Sequence, residues 1–265
     1  MSGLFVRDYT SLTSEEICEM EKINAESPRV AGAKFGRKNF FHRYPKAVRH
    51  YMHLFPNNYL DVVDLKKCDE LEKQCDEFEN LLNDKSIKES DIQRYIKNKR
   101  YYHIPASIFN RFNFGHHEAY LFKEFSLGTS FIADYVLVGK SSNGYEFIFV
   151  ELENPYGNIT ITDGDFGDTI RKGINQINDW DGFIASNFSS ITAEFKKHTT
   201  YQLSDEFYSF DATRIHYVVV AGRRDDFNDK MRKLRRLSEK RDNILILHYD
   251  NLLDDARNLI GSNTY

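Results

Sequence analysis

FIADYVLVGKSSNGYEFIFVELENP, residues 131–155, holds two apolar runs separated by Ser-Ser-Asn-Gly. Runs rich in β-branched and aromatic residues on either side of such a turn predict a β-hairpin. Its carboxylates decide how it is read: Asp134 stands in the first run, Glu151 and Glu153 in the second. A carboxylate inside a sheet is costly unless it is paired, protonated or bound to a cation. Side chains alternate along a strand, so Glu151 and Glu153 share a face with Phe147 and Phe149, while Ile148, Val150 and Leu152 cover the other. With Asp134 opposite Glu151 the three acids meet on one face; a slip of one residue sends Asp134 to the other. Clustered carboxylates raise one another's pKa unless a cation neutralises them. A ligand set made only of oxygens suits Mg²⁺ or Mn²⁺, not zinc. Any one of these acids taken alone reads as a solvent-facing residue of a half-buried strand; the grouping is what points to a cation.

On both sides of the hairpin the pattern alternates between helix and strand. The segment 86–100 has helical periodicity, with Ser86 and Glu89 at capping-box spacing. AYLFKEFSLG forms a strand before the hairpin, making three in a row. GDTIRKGINQINDWDGFIASNF repeats apolar residues at 170, 174, 177, 184 and 188 and is helical. RIHYVVVAG is a buried strand, NDKMRKLRRLSEK a basic helix, and NILILHYDNLL a last strand running into a short helix. From about residue 85 the order is α-β-β-β-α-β-α-β. A three-stranded meander followed by helical crossovers predicts an α/β (α+β) domain, a mixed central sheet flanked by helices.

The residues ahead of this domain, 1–84, form a separate and largely helical region in the same reading. TSEEICEMEKIN is a helix capped by Thr13 or Ser14. A second helix carries apolar residues at 68, 71, 75, 78 and 82 with a charged outer face. That narrow seam fits packing on this chain or on a partner. Between Ser27 and Leu60 there is no acid, while Arg29, Lys34, Arg37, Lys38, Arg43, Lys46 and Arg49 alternate with Phe35, Phe40, Phe41 and Tyr44. This stretch suits a phosphate backbone or a solvated basic face.

The 265 residues carry a net charge of −4, so the chain as a whole is not a polycation. Its cysteines, Cys18, Cys68 and Cys75, form no CxxC pair, which argues against a structural zinc site or a disulfide framework. Cys68 and Cys75 are placed on the apolar seam. No secretory leader and no run long enough to span a membrane is visible, so the expected setting is the cytoplasm.

An Asp on one strand followed by (D/E)-x-K on the next resembles the PD-(D/E)xK nuclease superfamily. Within it, the chain is similar to the Shedu antiphage defence family over about residues 85–258. KESDIQRYIKNKR, KEFSLGTSFIADYVLVG, FVELENP, INQINDW, VVVAGRRDD and HYDNLL carry the likeness. The resemblance implies a restriction-endonuclease-like fold and Mg²⁺- or Mn²⁺-dependent hydrolysis of phosphodiester bonds in double-stranded DNA of phage or plasmid. It also implies a bacterial cytoplasmic homo-oligomer with a sensing or regulatory N-terminal part. Asp134 and Glu151 become metal ligands, with the backbone carbonyl of Leu152 completing the set. Glu153 departs from the motif, which has Lys there to position water and offset negative charge. Glu153 then becomes a further metal ligand or a partner of the attacking water, and Lys172 supplies the missing positive charge. Lys172, Gln176 and Trp180 recur at i, i+4, i+8 on one flank of their helix, and Gln176 matches the supporting Gln of related nucleases. Glu89 is either a capping residue or an acid added from the first helix.

Arg223 and Arg224 after the strand, with Lys230 and Lys233 on the basic helix, are candidates for phosphate contacts without base choice. A solvated helix face is the plainer reading of that charge run. GHHEAY lacks the spacing of a zinc motif, and TDGDFGDT lacks the spacing and terminal Glu of a calcium loop. The rival to an enzyme is a non-catalytic protein that keeps the nuclease fold, and the loss of Lys at position 153 favours it.

Overall fold

The structure is a computed structural model, and it describes residues 3–26, 44, 47, 50 and 53–265. The seven cations of the acid-free N-terminal run lie outside the described residues. Three strands come first in the sheet: β1 (Glu118–Leu127), β2 (Phe131–Ser141) and β3 (Gly144–Leu152), all antiparallel. β4 (Ile215–Val220) and β5 (Ile244–Leu247) then join parallel to β3, giving the order β1-β2-β3-β4-β5. The expected mixed sheet with helices on its faces is present.

Among the described residues the α-helices with bounds are α1 (Ser14–Glu26), α2 (Cys68–Leu82), α3 (Glu89–Lys99), α4 (His103–Ala106), α5 (Asp168–Ser186), α6 (Phe188–Lys196), α7 (Asp229–Asp242) and α8 (Tyr249–Leu259). Thr13 caps α1 in a reciprocal box: its backbone N–H donates to the Glu16 carboxylate, and the Glu16 N–H donates to its hydroxyl. The periodic run that reads as one helix to residue 188 is two. Asn187 leaves helical geometry (φ −134°, ψ 36°), ending α5 and starting α6.

Two apolar layers sandwich the sheet. One face carries Leu121, Leu137, Ile148, Val150, Leu152 and Val218 against α2, α3 and α8. The other carries Phe122, Val136, Phe147, Phe149 and Val219 against α5 and α6, with Trp180 fully buried among them. The alternation read along β3 is the one observed. The seam of α2, Leu71, Cys75, Phe78 and Leu82, is buried in the first layer with Leu252, Leu253 and Ala256 of α8. Of the two readings open for that seam, packing within the chain is the one realised. Cys68 is an exception to it, being exposed at the first residue of α2. The apolar core also continues past residue 84 into Phe55, Leu60 and Leu65, which are buried in the same two layers.

Candidate active site

The β2–β3 ladder ends at Tyr135 opposite Val150, so one further step in the same register sets Asp134 against Glu151. Here the regular pattern gives way. Glu124, across β1 from Asp134, takes a left-handed conformation (φ 50°), and the Asp134 side chain replaces the next ladder bond. The Leu152 N–H donates to its Oδ2 at 2.8 Å, and Nε2 of Gln93, on α3, donates to its Oδ1 at 2.7 Å. Asp134 is thereby clamped between the strand end and the first helix of the sheet domain.

Glu151 is 4 % exposed and its Oε2 is buried without a hydrogen-bond partner. Burial first, then the neighbouring Asp134 and Glu153, push its pKa well above the carboxylate range. Asp134 is raised too, chiefly by burial and by Glu89, although the bonds from Leu152 and Gln93 oppose the shift. These are carboxyls that hold protons near neutral pH unless another positive charge takes their place.

Glu153, 2 % exposed, follows the end of β3. Its N–H donates to the Val220 carbonyl at 2.8 Å, and its own carbonyl accepts from the Tyr249 hydroxyl at 2.8 Å, fixing it between β4 and α8. The side chain turns to α5, where Nζ of Lys172 donates to Oε2 at 2.9 Å. Lys172 also lies 3.9 Å from Glu89 of α3, so one ammonium on α5 bridges an acid of α3 and an acid at the strand end. The partnership raises the Lys172 pKa against the opposing effect of burial. The ammonium of Lys172, the expected stand-in for the missing motif Lys, lies beside position 153. Gly173 makes this approach feasible: a Cβ there would lie 2.7 Å from Cγ1 of Val219 and 3.2 Å from Cγ of Glu153.

Three carboxylates do not gather as one ligand set. Among the described residues no group of three His, Cys, Asp or Glu is disposed to hold a metal ion. Glu153 gives its Oε2 to Lys172 and so anchors that ammonium, while its Oε1 is buried without a hydrogen-bond partner. Asp134 and Glu151 are left as neighbouring acids beside the Leu152 peptide. Gln176 is half-buried one turn along α5 from Lys172, and both line a cleft of about 680 Å³ against Phe131 and Ile132 of β2.

Other expected residues fall elsewhere. Ser86 does not cap α3 with Glu89: Lys88 precedes the helix and its N–H donates to Asp91 at 2.9 Å, leaving Glu89 free to face Lys172. Arg223 serves the fold, with donors on both oxygens of Asp250, on the Leu82 carbonyl and on the Tyr156 hydroxyl. Arg224 pairs with Asp254, Lys230 donates to the Asp163 carbonyl at 2.7 Å, and Lys233 is exposed on α7. Asp168 opens α5 behind the capping Gly167 and pairs with Arg171 at 2.7 Å. Gln93 was not singled out from the sequence. Its spacing from Glu89, one turn along the same helix, was the available signal.

With this arrangement in view, the comparison with known families is informative. The family model described as Shedu protein SduA, C-terminal, matches residues 86–253, well over half the chain and all five strands. The chain belongs to this Shedu family. Membership suggests antiphage defence. No curated protein matches the chain. Among the described residues of this Shedu protein no helix is long and apolar enough to cross a membrane.

Proposed function

We propose that this Shedu protein is a PD-(D/E)xK-type nuclease that hydrolyses phosphodiester bonds of DNA with the help of Mg²⁺ or Mn²⁺. The observation that carries the reading is the buried, unpartnered oxygen of Glu151 beside a clamped Asp134. Two half-neutralised acids at a strand end are stable when protonated or when shared by a divalent cation, and the donor set is the hard-oxygen type such cations take.

Asp134 and Glu151 would hold the cation, with the Leu152 carbonyl as the third protein oxygen. When bound, such an ion polarises the phosphate and makes a water nucleophilic at neutral pH. The chain's own residues do the rest. Gln93 and the Leu152 N–H hold the Asp134 carboxylate in one orientation. Glu153 pins Lys172 so that its ammonium faces the acids, where it steers a phosphate oxygen and offsets charge developing in the transition state. Gln176 supports the same cleft from the next turn of α5. Departure of the motif Lys from strand to helix preserves the charge while changing its address.

The test is incubation of purified protein with linear and circular duplex DNA in Mg²⁺ or Mn²⁺. Cleavage that disappears in Asp134→Ala and in Glu151→Ala, by about 100-fold or more, supports the enzyme. Metal-independent binding with no cleavage under any of these conditions instead supports a nuclease-fold binding protein, the reading that Glu153 in place of Lys favours.

A further inference from the structure

A second cleft, about 350 Å³, opens on the α3 side of Asp134. Its wall is built from one stripe of α3: Ser90, Gln93, Arg94 and Lys97 stand at i, i+3, i+4 and i+7, all on one flank. The opposite flank buries Ile92 and Ile96 in the core. Lys123 of β1 faces the stripe across the cleft. Gln93, which clamps Asp134, is the innermost member, and Lys97 lies one helical turn, about 5.4 Å, further out.

The cations are set for exchange. Arg94 pairs with Asp91 and Lys97 with Glu124, both exposed pairs of the kind that contribute little to stability and yield readily to a stronger anion. Lys123 is held more firmly, its ammonium 4.4 Å from the Phe5 ring centroid, and burial together with Lys97 lowers its pKa. A half-buried ammonium crowded by other cations is improved by a phosphate. By contrast, Arg223, at the β4 end, is spent inside the fold.

We infer that this cleft is the track of a single DNA strand, its phosphates held by Arg94, Lys97 and Lys123 and led by Gln93 to the Asp134 carboxylate. The volume is at the small end of ligand sites, room for about one or two nucleotides and not a duplex. The inference rests on the nuclease reading and adds the polarity of entry: the strand arrives along α3, not along the basic face of α7.

The test uses the full-length protein and fluorescence anisotropy with a labelled single-stranded oligonucleotide and a labelled duplex, in Ca²⁺ and without metal. Lys97→Gln with Lys123→Gln is expected to weaken single-strand binding by about tenfold or more and to reduce the slope of log K against log salt by about 1.4, two single-strand phosphate contacts. Arg94→Gln with Lys97→Gln, both exposed and away from the core, repeats the test without disturbing the Phe5 contact. Lys73→Gln with Lys85→Gln removes as much charge elsewhere and keeps the wild-type slope. Wild-type affinity and slope in both cleft variants, with binding and cleavage otherwise intact, overturns the inference alone. A wild-type protein that neither binds nor cuts DNA overturns the nuclease reading and the inference with it.

Discussion

A carboxylate that stays protonated near neutral pH is the most direct sign that a residue is held for something other than folding. Asp134 and Glu151 both have folded-state pKa values above the ordinary range, with burial as the largest cause. In the unfolded chain each ionises near pH 4. Between that point and the raised folded values the folded form carries the extra protons. The sign therefore runs against the usual acid case: stability is greatest below the unfolded pKa and is lost as pH rises through the folded ones. Without metal, melting temperature is expected to fall between about pH 5 and pH 8, with a slope of up to about 1.4 kcal/mol per pH unit for each proton. Asp134→Asn with Glu151→Gln removes that slope and stabilises the metal-free protein at pH 8. Millimolar Mg²⁺ or Mn²⁺ raises the wild-type melting temperature there and leaves the variant unchanged. A wild-type profile that rises from pH 5 to 8 more steeply than the variant's would contradict the assignment.

Helix α5 acts as a unit because one of its residues has no side chain. Gly173 lets the helix sit against Val219 and Glu153 closely enough for Lys172 to reach the carboxylate. In a helix interior Gly→Ala ordinarily gains up to about 1 kcal/mol. Here the added carbon, 2.7 Å from the Val219 methyl, must push α5 outward, and overpacking of this kind costs about 1–3 kcal/mol. Gly173→Ala is therefore expected to lower the melting temperature and to slow DNA cleavage together, whereas Gly182→Ala, with open space at its Cβ, stabilises. Equal gains in both variants would show that α5 has slack. The sequence made much of this element level legible. Period-2 alternation fixed β3 and its two faces, and the acids at its end were visible because sheets so seldom tolerate them. Less visible were features that depend on where helices meet. Ser86 and Glu89 had the spacing of a cap, yet the helix started at Glu89, and its carboxylate was drawn to Lys172 instead. Arg223 looked like a free cation because its partners, Leu82, Tyr156 and Asp250, are scattered over 168 residues of sequence. No local pattern encodes such a convergence.

At the scale of the whole molecule, the sheet domain is not closed at residue 84. α2 covers one apolar layer through Phe78 and Leu82, both fully buried, and Phe55 fills the other against Phe122 at a centroid distance of 5.0 Å. Arg257 of α8 reaches back to Glu79 at 2.7 Å, and the Leu82 carbonyl accepts from both Arg223 and Tyr156 at the rim of the site. Losing one buried Phe costs about 3–5 kcal/mol, and a whole domain has only about 5–15 kcal/mol in hand. Removing residues 1–84 strips Phe55, Phe78 and several aliphatic side chains at once, a loss that exceeds the total. A chain starting at residue 85 is therefore expected to be aggregated or molten, without a cooperative thermal transition and with exposed apolar surface that binds a hydrophobic dye. A chain starting at residue 53 keeps α2 and Phe55 and is expected to melt cooperatively. If the 85–265 chain instead unfolds in one sharp step at the full-length temperature, α2 is an appendage and the core closes without it. If it is molten, the helix seam that reads in sequence like a docking strip is a wall of the sheet domain, and any regulation by the N-terminal residues has to act through that wall on Arg223 and the strand ends beside Glu153.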